Sequence, residues 1–302
     1  MNDKLEPIGE YIGETLVALA GTIERVAKGF ERPGDFKDKE NIVHCGECKE
    51  AKQAFVELFG KNFLVPVACR CARQEQVAKK SEEEMAEKRQ RIERMRRKGI
   101  TDPLYDSMTF DGDDKKSKAM KYIRQYYQKW AEVRAENIGL LLWGGVGTGK
   151  TYAAASLANA LLADGVPVLM TNFGRIANQM GAIPLGDPNN TKEHYLARLN
   201  DFALLIIDDL GMERTAKNDD GASWMTEIAY SVIDNRYKAK KPIVVTTNME
   251  PDGMAGETRL AYRRIYDRLQ EMCVPIKFEG ESRRQTTGTK KASELRALFG
   301  EE

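Results

Sequence analysis

The stretch "IGLLLWGGVGTGKTYAAASLANALLADG", from Ile138 to Gly165, decides how the chain folds. Its apolar start predicts a buried strand from Gly139 to Trp143, and its alanine-rich end predicts a helix from Thr151 to Ala163. Four glycines fall within six residues between these two elements. Because glycine is entropically costly to order, such a cluster indicates backbone that bends sharply or lies close to a bulky group. A phosphate is the group that this order of elements favours.

The glycine cluster matches the motif G-x-x-x-x-G-K-[ST]. Backbone N–H groups of the loop are expected to surround the β- and γ-phosphates of ATP, and the positive end of the following helix adds to the attraction. Lys150 would contribute charge to the phosphate oxygens, and the Thr151 hydroxyl is a candidate ligand of Mg²⁺. A tight turn without a ligand is the alternative. The candidate nucleotide-binding residues are Gly144, Gly145, Val146, Gly147, Thr148, Gly149, Lys150 and Thr151.

A second polar cluster follows a buried strand in "FALLIIDDLG". Four apolar residues, Leu204 to Ile207, bring Asp208 and Asp209 to the carboxyl end of that strand, where α/β sheets bind ligands. We predict that Asp208 holds the magnesium and that Asp209 orients or deprotonates the attacking water. A strand with an acidic turn and no metal is the alternative. The strand "PIVVTTN" ends in Thr247 and Asn248, polar groups at the same edge that are expected to position the water or sense the γ-phosphate.

The wider pattern sets the fold class. Strand-like runs alternate with helical ones after residue 104, which predicts a parallel sheet covered by helices on both faces. With 302 residues, 42% hydrophobic, the chain has room for one large domain and a smaller one. No run approaches the roughly 18 apolar residues of a membrane span, and the N-terminus lacks the order of a signal peptide. We therefore expect a cytoplasmic protein without a membrane partner.

The cysteines form a separate pattern. Cys45-x2-Cys48 and Cys69-x-Cys71 provide four thiolates on two short turns, which predicts a tetrahedral Zn²⁺ site in a cytosolic chain. Reduced core cysteines and an iron–sulfur cluster are the alternatives. His44 is expected to be a neighbour of this site rather than a ligand, and Cys273 is expected to be buried and inert.

Charge patterning suggests three segments. A helix-like run from Ile8 to Lys28 is followed by the cysteines, and the charged run from Arg73 to Lys98 predicts one long, solvated helix. The predicted domains are an N-terminal zinc module at 1–72, a helical linker at 73–103 and an ATPase domain at 104–302. Lys88 to Lys98 is strongly basic, which is typical of either a solvated linker or a contact with single-stranded DNA phosphates or an acidic partner surface.

In their order, "GGVGTGKT", "LLIIDDLG", "IDNRYKAKKPIVVTTN", "RRIYDRL" and "GESRR" resemble the AAA+ ATPases of the DnaC/DnaI type, the bacterial and phage replicative helicase loaders. The IstB transposition ATPases are near relatives of that group. The resemblance covers about Leu104 to Arg284. It implies an ATP switch that binds the replicative DNA helicase and delivers it onto single-stranded DNA, with the N-terminal module gripping the helicase.

An IstB-like helper that binds DNA and regulates a transposase is the alternative function. The IstB pattern lacks N-terminal cysteine turns, so the cysteines favour the loader. A kinase or transporter subunit with a phosphate-binding loop is a third possibility, disfavoured by the basic box that contains "RRIYDRL".

The resemblance also implies roles for single residues. Asn248 would be the sensor-1 residue, and Arg283 or Arg284 would match the sensor-2 arginine, with Arg284 taken as nucleotide-binding. Arg264 or Arg268 would be an arginine finger for the ATP of a neighbouring subunit, with Arg264 preferred, so ATP-dependent homo-oligomers are expected. Most AAA+ proteins carry a catalytic Glu after the magnesium-binding Asp, whereas this chain has the shorter Asp209, which fits slow, partner-dependent hydrolysis. The chain after Arg268 is too short for a full helical lid.

Overall fold

The computed structural model describes two compact units, residues 1–88 and residues 89–302. The described residues are 31–58, 61–113, 117–184, 187, 191–211, 224–256, 260–280, 282, 291, 295–296 and 298–299. The predicted helix from Ile8 to Lys28 lies outside them. In the described ranges, every helix is too short or too polar to cross a membrane.

The described part of the N-terminal unit contains two small antiparallel sheets and the start of a long helix. Strands β1 (Phe36–Lys37) and β2 (Val43–His44) pair with each other, as do β3 (Gln53–Leu58) and β4 (Lys61–Pro66). Helix α1 (Arg70–Gly99) has 30 residues and is exposed along most of its length, which confirms the long, solvated helix. The boundary between the two units falls within this helix. The division into three segments at residues 72 and 103 stays a prediction.

The second unit is built on five parallel strands in the order β6-β7-β8-β5-β9. The predicted parallel α/β sheet is confirmed. The strands are β5 (Gly139–Gly144), β6 (Val168–Asn172), β7 (Leu204–Leu210), β8 (Ile243–Thr247) and β9 (Cys273–Phe278). The helices are α2 (Lys118–Gln128), α3 (Trp130–Ala135), α4 (Lys150–Ala163), α5 (Phe173–Gly181), α6 (Lys192–Leu199), α7 (Trp224–Lys238), α8 (Pro251–Ala255) and α9 (Leu260–Met272).

Hydrophobic side chains cover both faces of this sheet. Along β5, Leu140 and Leu142 pack with Leu157 of α4 on one face, whereas Leu141 packs with Ile233 of α7 on the other. Successive side chains of a strand point to opposite faces, so a strand buried on both faces is apolar throughout. This explains why the strands appear in the sequence as unbroken apolar runs.

The sheet order positions the site. From β5 the chain crosses to β6 at one edge and returns through β7 and β8, while β9 pairs on the other side of β5. The carboxyl ends of β7, β8 and β5 therefore lie side by side. In open parallel sheets, ligands bind at such a point, where the strand order reverses.

A buried arginine ties three segments of this unit together. Arg236 of α7 is 0% exposed, and it donates to the backbone carbonyls of Leu199, Phe202, Ala203 and Pro242 at 3.2, 2.9, 3.3 and 2.7 Å. Burial lowers the pKa of its guanidinium to about 10. The "DNRY" run was a family signature in the sequence, and here its arginine anchors the approaches to β7 and β8.

Replacing Arg236 with Met is expected to lower the free energy of unfolding by roughly 3–5 kcal/mol, because four buried carbonyls lose their donor. Denaturant unfolding measures this change. The control Arg94→Met, on the exposed surface of α1, is expected to change it by about 0.5 kcal/mol or less. Equal effects of the two substitutions would contradict the anchoring role.

Candidate nucleotide and metal sites

The glycine-rich loop connects β5 to α4 and bends where the sequence predicted. Gly144, Gly147 and Gly149 have φ values of 138°, 81° and 102°, which residues with a side chain rarely adopt. A Cβ atom on Gly144 would also lie 2.2 Å from the carbonyl oxygen of Phe278 in β9. The backbone thus turns tightly at the end of the sheet, and α4 begins directly after it at Lys150.

Lys150 is buried at the base of this loop. Its ammonium group donates to the carbonyl oxygens of Gly144 and Gly145 at 2.8 and 2.7 Å, and to Oδ1 of Asn248 at 2.8 Å. The structure therefore brings together two predicted site residues that are 98 positions apart. Asn248 follows β8, so the contact joins the phosphate-binding loop to the end of the neighbouring strand.

Asp208 lies beside Thr151, as expected for a shared magnesium site. The Thr151 hydroxyl donates to Oδ1 of Asp208 at 2.9 Å. Two residues that the sequence analysis did not select also donate to this carboxylate: Thr246 to Oδ1 at 2.6 Å and Tyr105 to Oδ2 at 3.2 Å. Burial and the nearby Asp208 raise the pKa of the Tyr105 phenol, so this hydroxyl remains a donor.

Asp209 reaches the same site through an irregularity in β7. Its φ of 62° is left-handed, and the pairing of β7 with β8 shifts between Ile207 and Leu210. In a regular strand, Asp208 and Asp209 would point to opposite faces of the sheet. The bulge instead re-aims Asp209 into the cavity beside the glycine-rich loop.

A cavity of about 260 Å³ lies over these groups. One wall comes from a short segment after α1, where Leu104 and Met108 face the cavity. The amide of Asn159 in α4 donates to the carbonyl oxygens of Tyr105 and Met108, both at 2.8 Å, and fixes this segment. The lining residues are Leu104, Met108, Val146, Gly147, Gly149, Lys150, Thr151, Tyr152, Asp209, Thr246 and Asn248.

Sequence patterns missed this wall because short irregular segments carry no periodicity. The sequence signal for Thr246 was the pair of threonines that ends an otherwise apolar, buried strand. Thr247, which was predicted at this edge, instead donates to the carbonyl oxygen of Leu210 at 2.8 Å and does not line the cavity.

The two candidate finger arginines differ in their surroundings. Arg268 of α9 donates to Oδ1 of Asp234 at 2.7 Å and lies over the rings of Tyr230 and Tyr237 at 5.1 and 5.4 Å. Arg264 is exposed on the same helix, and neither arginine lines the cavity of its own chain. These contacts engage Arg268 within its own chain, whereas the Arg264 side chain is exposed.

Both candidate sensor-2 residues, Arg283 and Arg284, lie outside the described residues.

In the N-terminal unit, the Sγ atoms of Cys45, Cys48 and Cys69 lie within 4.8 Å of one another. Cys71 joins them through a hydrogen bond with Cys48, which raises the pKa of Cys71 to about 12. Backbone N–H groups of Cys71 and Glu50 donate to the sulfur of Cys48 and lower its pKa to about 6. The structure therefore brings three of the predicted ligands, Cys45, Cys48 and Cys69, within 4.8 Å of one another, and places Cys71 beside Cys48.

His44 lies next to this cluster with both ring nitrogens engaged. Nε2 is 2.9 Å from Oδ2 of Asp38, and Nδ1 is 3.1 Å from the carbonyl oxygen of Lys49. This supports a role as neighbour rather than ligand. Cys273 is buried in the second unit, and burial raises the pKa of its thiol, as expected for an inert residue.

The sequence of residues 75–292 matches the family described as IstB-like ATP binding protein. The chain belongs to this family. The match spans the glycine-rich loop, both aspartates and Asn248, and it confirms at family level the resemblance inferred from the motifs.

Curated relatives of this IstB-like protein include replicative helicase loaders. DnaC of Buchnera aphidicola subsp. Acyrthosiphon pisum (strain APS) is 28% identical over 205 residues, which are 67% of this chain and 78% of that protein. DnaC of Escherichia coli (strain K12) is 28% identical over 179 residues, 58% of this chain and 67% of that protein. A crystal structure of the DnaC helicase loader matches with a TM-score of 0.47 and 20% identity, over 59% of this chain and 100% of that chain.

Substituting Lys150 with Ala is expected to weaken ATP binding roughly 10- to 100-fold, because a charge-assisted contact with the phosphates is lost. Calorimetric titration with ATP measures the affinity. Lys192→Ala, an exposed lysine at the start of α6, serves as the control and is expected to bind like the unmodified chain. Unchanged affinity of the Lys150 variant would contradict the phosphate assignment.

For the cysteines, we expect about one zinc per chain in protein purified without chelators. The double substitution Cys45→Ser with Cys48→Ser should abolish it while ATP still binds, whereas Cys273→Ala should retain it. Elemental analysis gives the metal content. Absence of zinc from the unmodified chain, or iron in its place, would refute the prediction.

Proposed function

We propose that the protein is an ATP-dependent loader that binds the replicative DNA helicase and delivers it onto single-stranded DNA in replication initiation. The observation that carries this proposal is the contact between Lys150 and Asn248, which links the phosphate-binding loop to the end of β8. Such a link would let the end of β8 respond to a nucleotide bound at the loop, as a nucleotide switch requires. The similarity to relatives named replicative helicase loaders supports the helicase as partner.

The proposed switch depends on which groups accept hydrogen bonds from the ammonium group of Lys150. The carbonyl oxygens of Gly144 and Gly145 and Oδ1 of Asn248 accept hydrogen bonds from its ammonium group. The phosphate oxygens of ATP would compete with them as hydrogen-bond acceptors, since a charge-assisted hydrogen bond to an anion is stronger than one to a neutral oxygen. Release of the Asn248 amide then changes the turn that leads from β8 to α8. ATP binding is thereby transmitted away from the cavity.

Hydrolysis needs an oriented water and stabilised phosphate charge. Thr151 and Asp208 would hold Mg²⁺, whose chemistry is to neutralise charge on the β- and γ-phosphates. Asp209, which lines the cavity, would orient the water and accept its proton. Its side chain is shorter than that of Glu, which fits slow hydrolysis.

The arginine finger would come from another copy of the chain. Helix α9 packs on the face of the sheet opposite α4, and Arg264 is exposed there. Arg264 therefore lies outside its own cavity and can complete a site only across a subunit interface. We propose an ATP-dependent homo-oligomer on this basis, with Arg284 contributing as sensor 2.

The N-terminal module would bind the helicase. Four thiols in one small unit fit Zn²⁺, which prefers tetrahedral sulfur ligands and stabilises units with small cores. Cys45, Cys48, Cys69 and Cys71 would hold this ion in a structural role. The basic stretch from Lys88 to Lys98 would contact the DNA phosphates or an acidic partner surface.

A second candidate function is an IstB-like helper that binds DNA and regulates a transposase, which the family name suggests. The curated relatives named as helicase loaders favour the first function.

A loading experiment tests the proposal. The full-length chain is mixed with the replicative helicase of its host and circular single-stranded DNA, and helicase bound to the DNA is measured with and without ATP. The proposal expects ATP-dependent loading that the Lys150→Ala chain cannot support. Failure to bind the helicase, with stimulation of a transposase instead, would favour the second candidate.

The subunit arrangement gives a further expectation. Arg264→Ala and Lys150→Ala chains, each inactive alone, are expected to restore part of the ATPase activity when mixed. In a mixed oligomer, the intact loop of one chain can lie beside the intact Arg264 of another chain. A finger contributes roughly 10³-fold or more to phosphoryl transfer, so the recovery is large. Turnover across mixing ratios, with helicase and DNA present, is the measurement.

The neighbouring exposed residue provides a matched control, since Arg263→Ala is expected to keep its own activity. Full activity of a dilute Arg264→Ala monomer would show that each site is complete within one chain.

A further inference from the structure

Two residues of β7 lie opposite a single residue of β8. Ile206 pairs with Val244 and Ile207 with Val245, but the next pair joins Leu210 to Thr247. Asp208 and Asp209 therefore share one opposite position, that of Thr246. An extra residue of this kind disrupts the hydrogen bonds of the ladder, and the polar groups released there need other partners.

The Thr246 side chain supplies these partners. The backbone N–H of Asp209 donates to Oγ1 of Thr246 at 2.8 Å, and Oγ1 donates in turn to Oδ1 of Asp208 at 2.6 Å. Thr246 is only 1% exposed. Because an N–H group can only donate, the proton of the hydroxyl is left for the carboxylate, and the direction of both bonds is fixed.

We propose that Thr246 is the positioning residue that sets Asp208 and Asp209 relative to each other through its one hydroxyl group. The inference rests on the proposed ATPase function and assigns a residue to it. The hydroxyl orients Asp208 toward Thr151, whose own hydroxyl lies 2.9 Å from the same Oδ1. It also holds the left-handed backbone of Asp209, on which the aim of that carboxylate depends.

Both the magnesium ligand Asp208 and the water-orienting Asp209 then depend on the Thr246 hydroxyl. Removing it leaves the carboxylate of Asp208 with one donor fewer and leaves the N–H of Asp209 without its acceptor. The first change should weaken magnesium-dependent binding, since partners that orient a metal ligand are worth about 10- to 100-fold in affinity or activity. The second change should lower turnover by disordering Asp209. Binding of ATP without metal depends on Lys150 and the loop, so it should not change.

The test compares Thr246→Val with Thr246→Ser and with Thr247→Val. Valine keeps the size of threonine but lacks the hydroxyl, and serine restores the hydroxyl. Thr247 is a matched control, because it is adjacent, equally buried, and donates to the carbonyl oxygen of Leu210 at 2.8 Å instead of to a carboxylate. Each chain is titrated with ATP in Mg²⁺ and in EDTA, and kcat and KM are measured with helicase and DNA present.

In Thr246→Val, the ratio of ATP affinity in Mg²⁺ to ATP affinity in EDTA is expected to fall about 10- to 100-fold. We also expect kcat to fall at least about tenfold, while the ATP affinity in EDTA stays unchanged. Thr246→Ser should keep both values within about threefold of the unmodified chain. If Thr246→Val and Thr247→Val lose the same amounts, the hydroxyl has a merely structural role and the inference is wrong.

The readouts separate this inference from the proposed function. If the unmodified chain shows no turnover under any condition, the ATPase proposal fails, and the ratio of affinities in Mg²⁺ and EDTA still decides the role of Thr246. If circular dichroism shows that the valine variant does not fold, Thr246→Ala takes its place with the same expected losses and the same contradicting outcome.

Discussion

The nucleotide site depends on the parallel pairing of β7, β8 and β5 between two layers of helices. The side chains of these strands are buried on both faces, so a polar group inside them has no access to water and must find a partner in the protein. Polar chemistry is therefore confined to the carboxyl ends of the strands. Lys150, Asp208, Thr246 and Asn248 all lie at that edge. Lys150 at the start of α4 contacts Asn248 after β8, and Thr246 of β8 contacts Asp208 of β7, because β5, β8 and β7 are neighbours in the sheet.

Local sequence determines the larger part of this arrangement. The glycine-rich loop, the five strands and the long helix could each be predicted, because each has a strong periodic or motif signal over consecutive residues. The adjacency of Thr151 and Asp208 could also be predicted, since it follows from a parallel sheet with the expected strand order. The spacing of the cysteines also predicted that Cys45, Cys48 and Cys69 lie close together, with Cys71 beside Cys48.

Contacts that depend on irregular backbone could not be predicted. Tyr105 belongs to a short turn, and nothing in its neighbours indicates a contact with a residue 103 positions away. The bulge at Asp209 is an exception to strand pairing, which a pattern of regular strands cannot contain. The contact of Arg268 with Asp234 joins two regular helices, but it depends on which helices pack together, and local sequence does not determine that. In each case, the contact is determined by the tertiary structure, and the local sequence is compatible with several other contacts.

The buried guanidinium of Arg236 also bears on how the second unit assembles. Its four carbonyl partners come from the end of α6, the approach to β7 and the approach to β8, so no one segment can satisfy it alone. A partly folded chain with one of these segments out of place would hold a buried cation with too few partners, which is costly. Intermediates of that kind are poorly populated. The native contacts of this arginine can therefore form completely only when the approaches to both strands are in place, so it couples the docking of β7 to that of β8.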